Sequence, residues 1–146
     1  MSAKTKNPAK GTDLNFDLGE CPCTGGTLDK LIQPAILVVL ADGPLHGYRL
    51  ADRIGKMSIF RGHKPDTSGV YRFLKGMECK GLVVSSWDTS HGGPAKKCYE
   101  ITSAGLCCLQ QWIKTLEAYH EGINALVRSA RRVAAKRARR AVGARS

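Results

Sequence analysis

Residues 65–82 read PDTSGVYRFLKGMECKGL, and the reading of this stretch decides the fold. Val70, Phe73, Leu74 and Met77 recur at i, i+3, i+4 and i+7, the spacing of one apolar stripe along a helix. Thr67 and Ser68 stand where an N-cap belongs, and Gly81 stands where a helix should stop. On the other side Ser68, Arg72, Lys75 and Cys79 follow one another at 4, 3, 4 spacing, with Tyr71 at the edge. That face carries hydroxyls, a guanidinium and an ammonium but no carboxylate. Such groups bind phosphates and base edges, Arg above all, because its fork matches guanine O6 and N7. Gly76 in the helix interior costs about 1 kcal/mol relative to Ala. Taken alone, an ordinary amphipathic helix with a solvated polar face is the simpler reading. The flanking sequence favours the other.

After Gly81, residues 82–87 are rich in β-formers, residues 88–95 have turn chemistry, and residues 96–101 read as a returning strand with Tyr99 and Ile101 on one face. Upstream, Pro34 suits the first position of a helix through Ala41 that is apolar nearly all round and therefore central in the core. Gly43-Pro44-Leu45-His46-Gly47-Tyr48 is a turn into a second helix, reaching about Lys56, whose inner face is lined by Tyr48, Ala51 and Ile54 with Leu50 beside them. Residues 57–64 form a loop. Three short helices followed by a β-hairpin make a winged helix-turn-helix. The hairpin tip carries His91, Lys96 and Lys97, a charge suited to gripping a phosphate backbone.

Thr102 caps a final long helix in which Leu106, Leu109, Ile113, Leu116, His120, Ile123, Val127, Ala130 and Ala134 alternate by three and four. The core before it is too small to cover such a helix, so the seam predicts a homodimer. His120 lies in the seam as a register-setting polar residue, and Gly122 weakens the helix locally. Trp112 and Tyr119 mark a site for a small apolar effector between the first helix and the dimer helices. From Arg128 the chain holds eight Lys and Arg and no acid, a segment suited to DNA without sequence preference or to anionic lipid.

The whole chain is basic, with 23 Lys and Arg against 12 Asp and Glu, a net charge of +11. A polyanionic partner follows, and double-stranded DNA fits it better than a membrane surface, since the basic segment has few apolar anchors. No apolar run reaches the roughly 18 residues of a membrane span. Lys4, Lys6 and Lys10 precede no apolar segment, and Asp13, Asp17 and Glu20 follow, so neither a signal nor a transit peptide is expected. The expected location is the cytoplasm, on the bacterial nucleoid. No nucleophile–base pair, phosphate loop or paired catalytic acids stand out, and an enzyme is not expected.

Six cysteines in a reducing cytosol point to free thiols, metal ligands or redox groups rather than structural disulfides. Cys21 and Cys23 bracket Pro22 and offer two thiolates to one zinc ion or iron–sulfur cluster, with Cys98 or a second subunit completing the site. A redox thiol pair and small hydrophobes are the other readings. Cys107 and Cys108 are assigned to packing.

The chain resembles the PadR-like bacterial transcriptional regulators. Gly43-Pro44-Leu45-His46-Gly47-Tyr48 is similar to the start of that family's second helix. Gly69-Val70-Tyr71-Arg72-Phe73-Leu74, through Gly81-Leu82, is similar to its recognition helix. Gly92-Gly93-Pro94, Tyr99-Glu100-Ile101-Thr102 and Gly105 are similar to its wing and the start of its C-terminal helix. The likeness spans about residues 33–112. It implies a homodimeric repressor released from DNA by a ligand or stress signal, with Tyr71 and Arg72 on the recognition helix and Lys96 and Lys97 at the wing. The Cys-Pro-Cys arm, Cys98 in place of an aromatic residue, and the Arg-rich tail depart from the pattern. The expected fold class is α+β, mainly α: a winged helix-turn-helix with a long C-terminal dimerisation helix. The expected organisation is an arm over residues 1–26, a DNA-binding domain over 27–102, a dimerisation helix over 103–135 and a basic tail over 136–146. The expected DNA contacts are Ser68, Tyr71, Arg72, Lys75, His91, Lys96 and Lys97. The rival readings are an architectural nucleoid protein using the tail and a thiol-dependent metal-binding protein using Cys21 and Cys23.

Overall fold

The computed structural model of the protein describes residues 29–60, 64–90 and 92–144. A 3-10 turn, Asp29–Leu31, leads into α1 (Ile32–Ala41). Then come β1 (Leu45–His46), α2 (Gly47–Gly55), a second 3-10 turn (Ser58–Phe60) and α3 (Thr67–Cys79). The hairpin β2 (Val83–Asp88) and β3 (Lys96–Ile101) precedes α4 (Ser103–Ala144). The winged helix-turn-helix is therefore present, mainly helical, with its long last helix.

The apolar α1 is the centre of the core. Ile36, Leu37 and Leu40 are fully enclosed, packed with Leu50 and Ile54 of α2, Val70, Leu74 and Met77 of α3, and Val83 and Tyr99 of the hairpin. Each such aliphatic side chain contributes about 1.5–3 kcal/mol by leaving water. Pro34 lies at the third position of α1 rather than the first. It is still in the first turn, where no backbone N–H is needed. The 57–64 loop hides a core residue, since Phe60 ends a 3-10 turn and is buried.

The sheet has three strands in the order β1-β3-β2, all antiparallel. Two-residue β1 adds Leu45 opposite Tyr99 and His46 opposite Cys98. The hairpin register pairs Val83 with Ile101, Ser85 with Tyr99 and Trp87 with Lys97 on the face toward α3. Asp88 with Lys96 and Ser86 with Cys98 occupy the outer face.

Helix α3 is capped one residue earlier than its sequence suggests. Asp66, not Thr67 or Ser68, is the N-cap, and its Oδ1 accepts a hydrogen bond of 2.6 Å from the Gly69 amide. A carboxylate is the better acceptor here because its charge also meets the positive end of the helix. An Asp66→Ala protein is expected to lose about 1 kcal/mol of stability. Urea denaturation measures this, and an unchanged midpoint would remove Asp66 from the capping role. Gly81 ends α3 as expected. Its φ of +76° is open to glycine, and the Gly81 and Leu82 amides donate to the carbonyls of Glu78 and Met77, closing the last turn.

Thr102 ties three elements together. Its hydroxyl lies 2.6 Å from the Gly81 carbonyl oxygen and 3.0 Å from that of Leu82, to which it donates, and it accepts from the Gly105 amide at 3.0 Å. From there α4 runs 42 residues. Its first turns pack on the core through Cys108, Leu109 and Trp112. The helix continues past residue 135 to Ala144, because the Ala, Arg and Lys of this segment are strong helix formers and Pro is absent. Gly122 does not interrupt it. Among the described residues no helix is long and apolar enough to cross a membrane.

Candidate nucleic-acid interface

With Val70, Leu74 and Met77 locked into the core, α3 turns Ser68, Arg72, Lys75 and Cys79 to solvent as one ridge. Two hollows flank it. The first, about 450 Å³, is lined by Tyr71, Lys75, Glu78, Cys79, Lys97 and Tyr99. The second, about 530 Å³, takes in Arg72 with Ile32, Gln33, Phe73 and Met77. The fold thus brings Tyr71, Lys75 and Lys97 to one flank and sets Arg72 toward the other. The Tyr71 ring lies against the start of α2, where a Cβ on Gly47 would come within 2.7 Å of the phenol oxygen. Burial, and then the neighbouring Tyr99, push the Tyr71 phenol above its usual pKa.

Lys96 and Lys97 lie on opposite faces of β3. Neighbours on a strand point to opposite faces. Lys97 faces α3, with its Nζ 3.9 Å from Glu78 and 5.6 Å from the centre of the Tyr99 ring. Glu78 is held in turn by the Ser85 hydroxyl at 2.6 Å. Lys96 is on the outer face, 5.3 Å from the centre of the Tyr48 ring. His91 lies outside the described residues, as do Cys21 and Cys23.

Tyr48 is not an inner residue of α2. It is 49% exposed and stacks on His46, with ring centres 5.9 Å apart. Leu50 and Ile54, one turn apart, set the buried face instead. The Arg49 side chain above all, joined by the charge of Lys96, lowers the Tyr48 pKa against the opposing effect of burial, which ranks second. His46 Nε2 sits 2.8 Å from Asp88 Oδ2, tying β1 to the end of β2. Cys98 lies between these groups. Burial, and then the carboxylates of Asp88 and Glu100, raise its thiol pKa. Among the described residues no three His, Cys, Asp or Glu side chains converge as a metal site. Trp112 is half-buried against the core, whereas Tyr119, two turns on, is exposed.

The sequence reading missed Glu78 and the His46–Tyr48–Asp88 cluster. Glu78 had a signal, because it follows Tyr71 by seven residues and so shares its edge of α3. The cluster had none, since it depends on long-range strand pairing.

The family model described as the transcriptional regulator PadR-like family matches residues 36–111, from α1 into α4. The chain belongs to the PadR-like family. A protein of Thermoplasma acidophilum assigned as a transcriptional regulator is similar at 30% identity, over 68% of this chain and 93% of that one, with a TM-score of 0.61. PadR of Bacillus subtilis, solved in complex with operator DNA, is similar at 25% identity, over 57% of this chain and 46% of that one, with a TM-score of 0.51. A PadR-like regulator of Bacillus cereus shares the fold, at 23% identity over 68% and 94% of the two chains and a TM-score of 0.59. None of the curated proteins matches. The PadR-like match takes in the whole α3 ridge and both hairpin strands, and it ends before most of α4.

Proposed function

We propose that this PadR-like regulator is a homodimeric repressor that reads DNA with α3 in the major groove while the hairpin follows the backbone, until a signal releases it. The carboxylate-free ridge of Ser68, Arg72, Lys75 and Cys79 carries this reading. A helix clamped on one face by the core and bearing a guanidinium on the other is held rigidly enough to read base edges. The Bacillus subtilis relative with its operator DNA supports it. Pairing between copies is supported by the seam, where Ile113, Ile123 and Val127 are exposed among the described residues. Lys97 reaches a phosphate by leaving Glu78. At the exposure of that pair the exchange costs at most about 1 kcal/mol, and a phosphate contact repays it. The same reading locates the protein in the cytoplasm, on the nucleoid.

The test begins by selecting bound duplexes from a random pool. An Arg72→Ala protein is then titrated on the selected and a scrambled duplex at fixed salt. The expected result is a loss of about 1–3 kcal/mol of discrimination per guanine contact, with binding to the scrambled duplex little changed. Full affinity and full selectivity in the variant would remove Arg72, and with it α3, from the reading head.

A further inference from the structure

Beyond Trp112, α4 projects 32 residues past its last packing contact with the core, about 48 Å of helix. Its end is built with two faces. Arg128, Arg132, Lys136 and Arg140 succeed one another at four-residue spacing, so they stack on one side, and all four are exposed. Val127, Ala130, Ala134, Ala138 and Ala141 lie on the other side and extend the seam. Like charges at i, i+4 repel and destabilise a helix. No Asp or Glu follows Glu121 to relieve them. The ladder therefore calls for countercharge from outside this segment.

We infer that this ladder is a second DNA contact, an arm that lies along the phosphate backbone and adds affinity without sequence preference. The inference rests on the DNA-reading role proposed for α3. Pairing of the seam turns the small Ala and Val side chains toward the partner copy and leaves the four ladder cations facing outward, with Arg131 and Arg137 bordering the seam. From Arg128 to Arg140 is about 18 Å, a length over which duplex DNA presents about ten phosphate charges at one per roughly 1.7 Å. A lipid surface fits the arm poorly. Residues 128–146 contain no Trp, Phe, Tyr, Leu, Ile or Met to enter a bilayer interface.

The test compares the full chain with an Arg128→Gln/Arg132→Gln/Lys136→Gln/Arg140→Gln variant on a random-sequence duplex across a salt series. Gln keeps the helix and removes the charge, and circular dichroism checks the helix. The logarithmic salt slope of the variant is expected to be shallower by about 3–4 per engaged arm, so for each engaged arm wild type loses roughly 100-fold more affinity than the variant between about 50 and 200 mM salt. A chain ending at Val127 removes the ladder, its helix and the other four cations of the segment together and is expected to lose at least as much slope. Identical slopes in wild type and variant overturn the arm while leaving α3 untouched. Wild type that binds no duplex at all overturns the DNA reading itself. Charge-dependent binding of the ladder to phosphatidylserine vesicles, with the DNA slope unchanged, assigns the arm to lipid and overturns the proposal.

Discussion

A Leu74→Ala protein is expected to be about 2–5 kcal/mol less stable than wild type in urea denaturation. Leu74 is fully enclosed between α1 and α2, on the side of α3 opposite the exposed ridge. Truncation removes its burial energy and leaves a cavity that the surrounding helices fill only in part. In a domain whose total stability is typically about 5–15 kcal/mol, that is a large share. The same change loosens the helix that presents Arg72, so discrimination between duplexes should fall although no ridge residue is altered. A denaturation midpoint within experimental error of wild type would mean that α3 does not pack through Leu74.

Gly105→Ala is the second large effect, and its sign runs against helix propensity. Replacing a glycine in a helix by Ala ordinarily adds about 1 kcal/mol. At Gly105 an added Cβ overlaps the backbone carbonyl oxygen of Leu82 and would meet Ile101 Cγ1 at 2.6 Å. Backbone does not move aside as a flexible side chain does, so α4 must lift off the base of the hairpin. The expected cost is about 1–3 kcal/mol net. Gly122→Ala on the same helix is the internal control, since nothing lies within 4 Å of its new Cβ and it should be neutral to stabilising. Opposite signs for the two substitutions in thermal unfolding establish the close approach. Equal gains would remove it.

Much of the fold was legible because its signals are local. The stripe of Val70, Leu74 and Met77 repeats every three or four residues, and the β-rich runs around the Gly92-Gly93 turn stand out against their neighbours. Strand β1 was not legible, since two residues carry no period and Leu45–His46 is defined only by its partners on β3. Phe60 is illegible for a similar reason, since Met57, Ile59 and Phe60 follow no period that tells which of them is enclosed. The ridge on α3 could be read from helical spacing alone. The hairpin lysines were read as one grip although strand alternation already separates them, and the Glu78 link to Lys97 needed the packing of α3 against the sheet to be seen. Helix α4 extends past the expected boundary at residue 135 to Ala144, because Arg, Lys and Ala sustain a helix through the charge run.

Thr102 has a consequence for how the parts move. It is the single residue between β3 and α4, and its hydroxyl holds the turn that ends α3 and the first turn of α4 at once. A joint of this kind has no slack. Helices α3 and α4 behave as the short and long limbs of one bent crank, with this threonine at the elbow. Whatever rotates the long limb turns the short one with it.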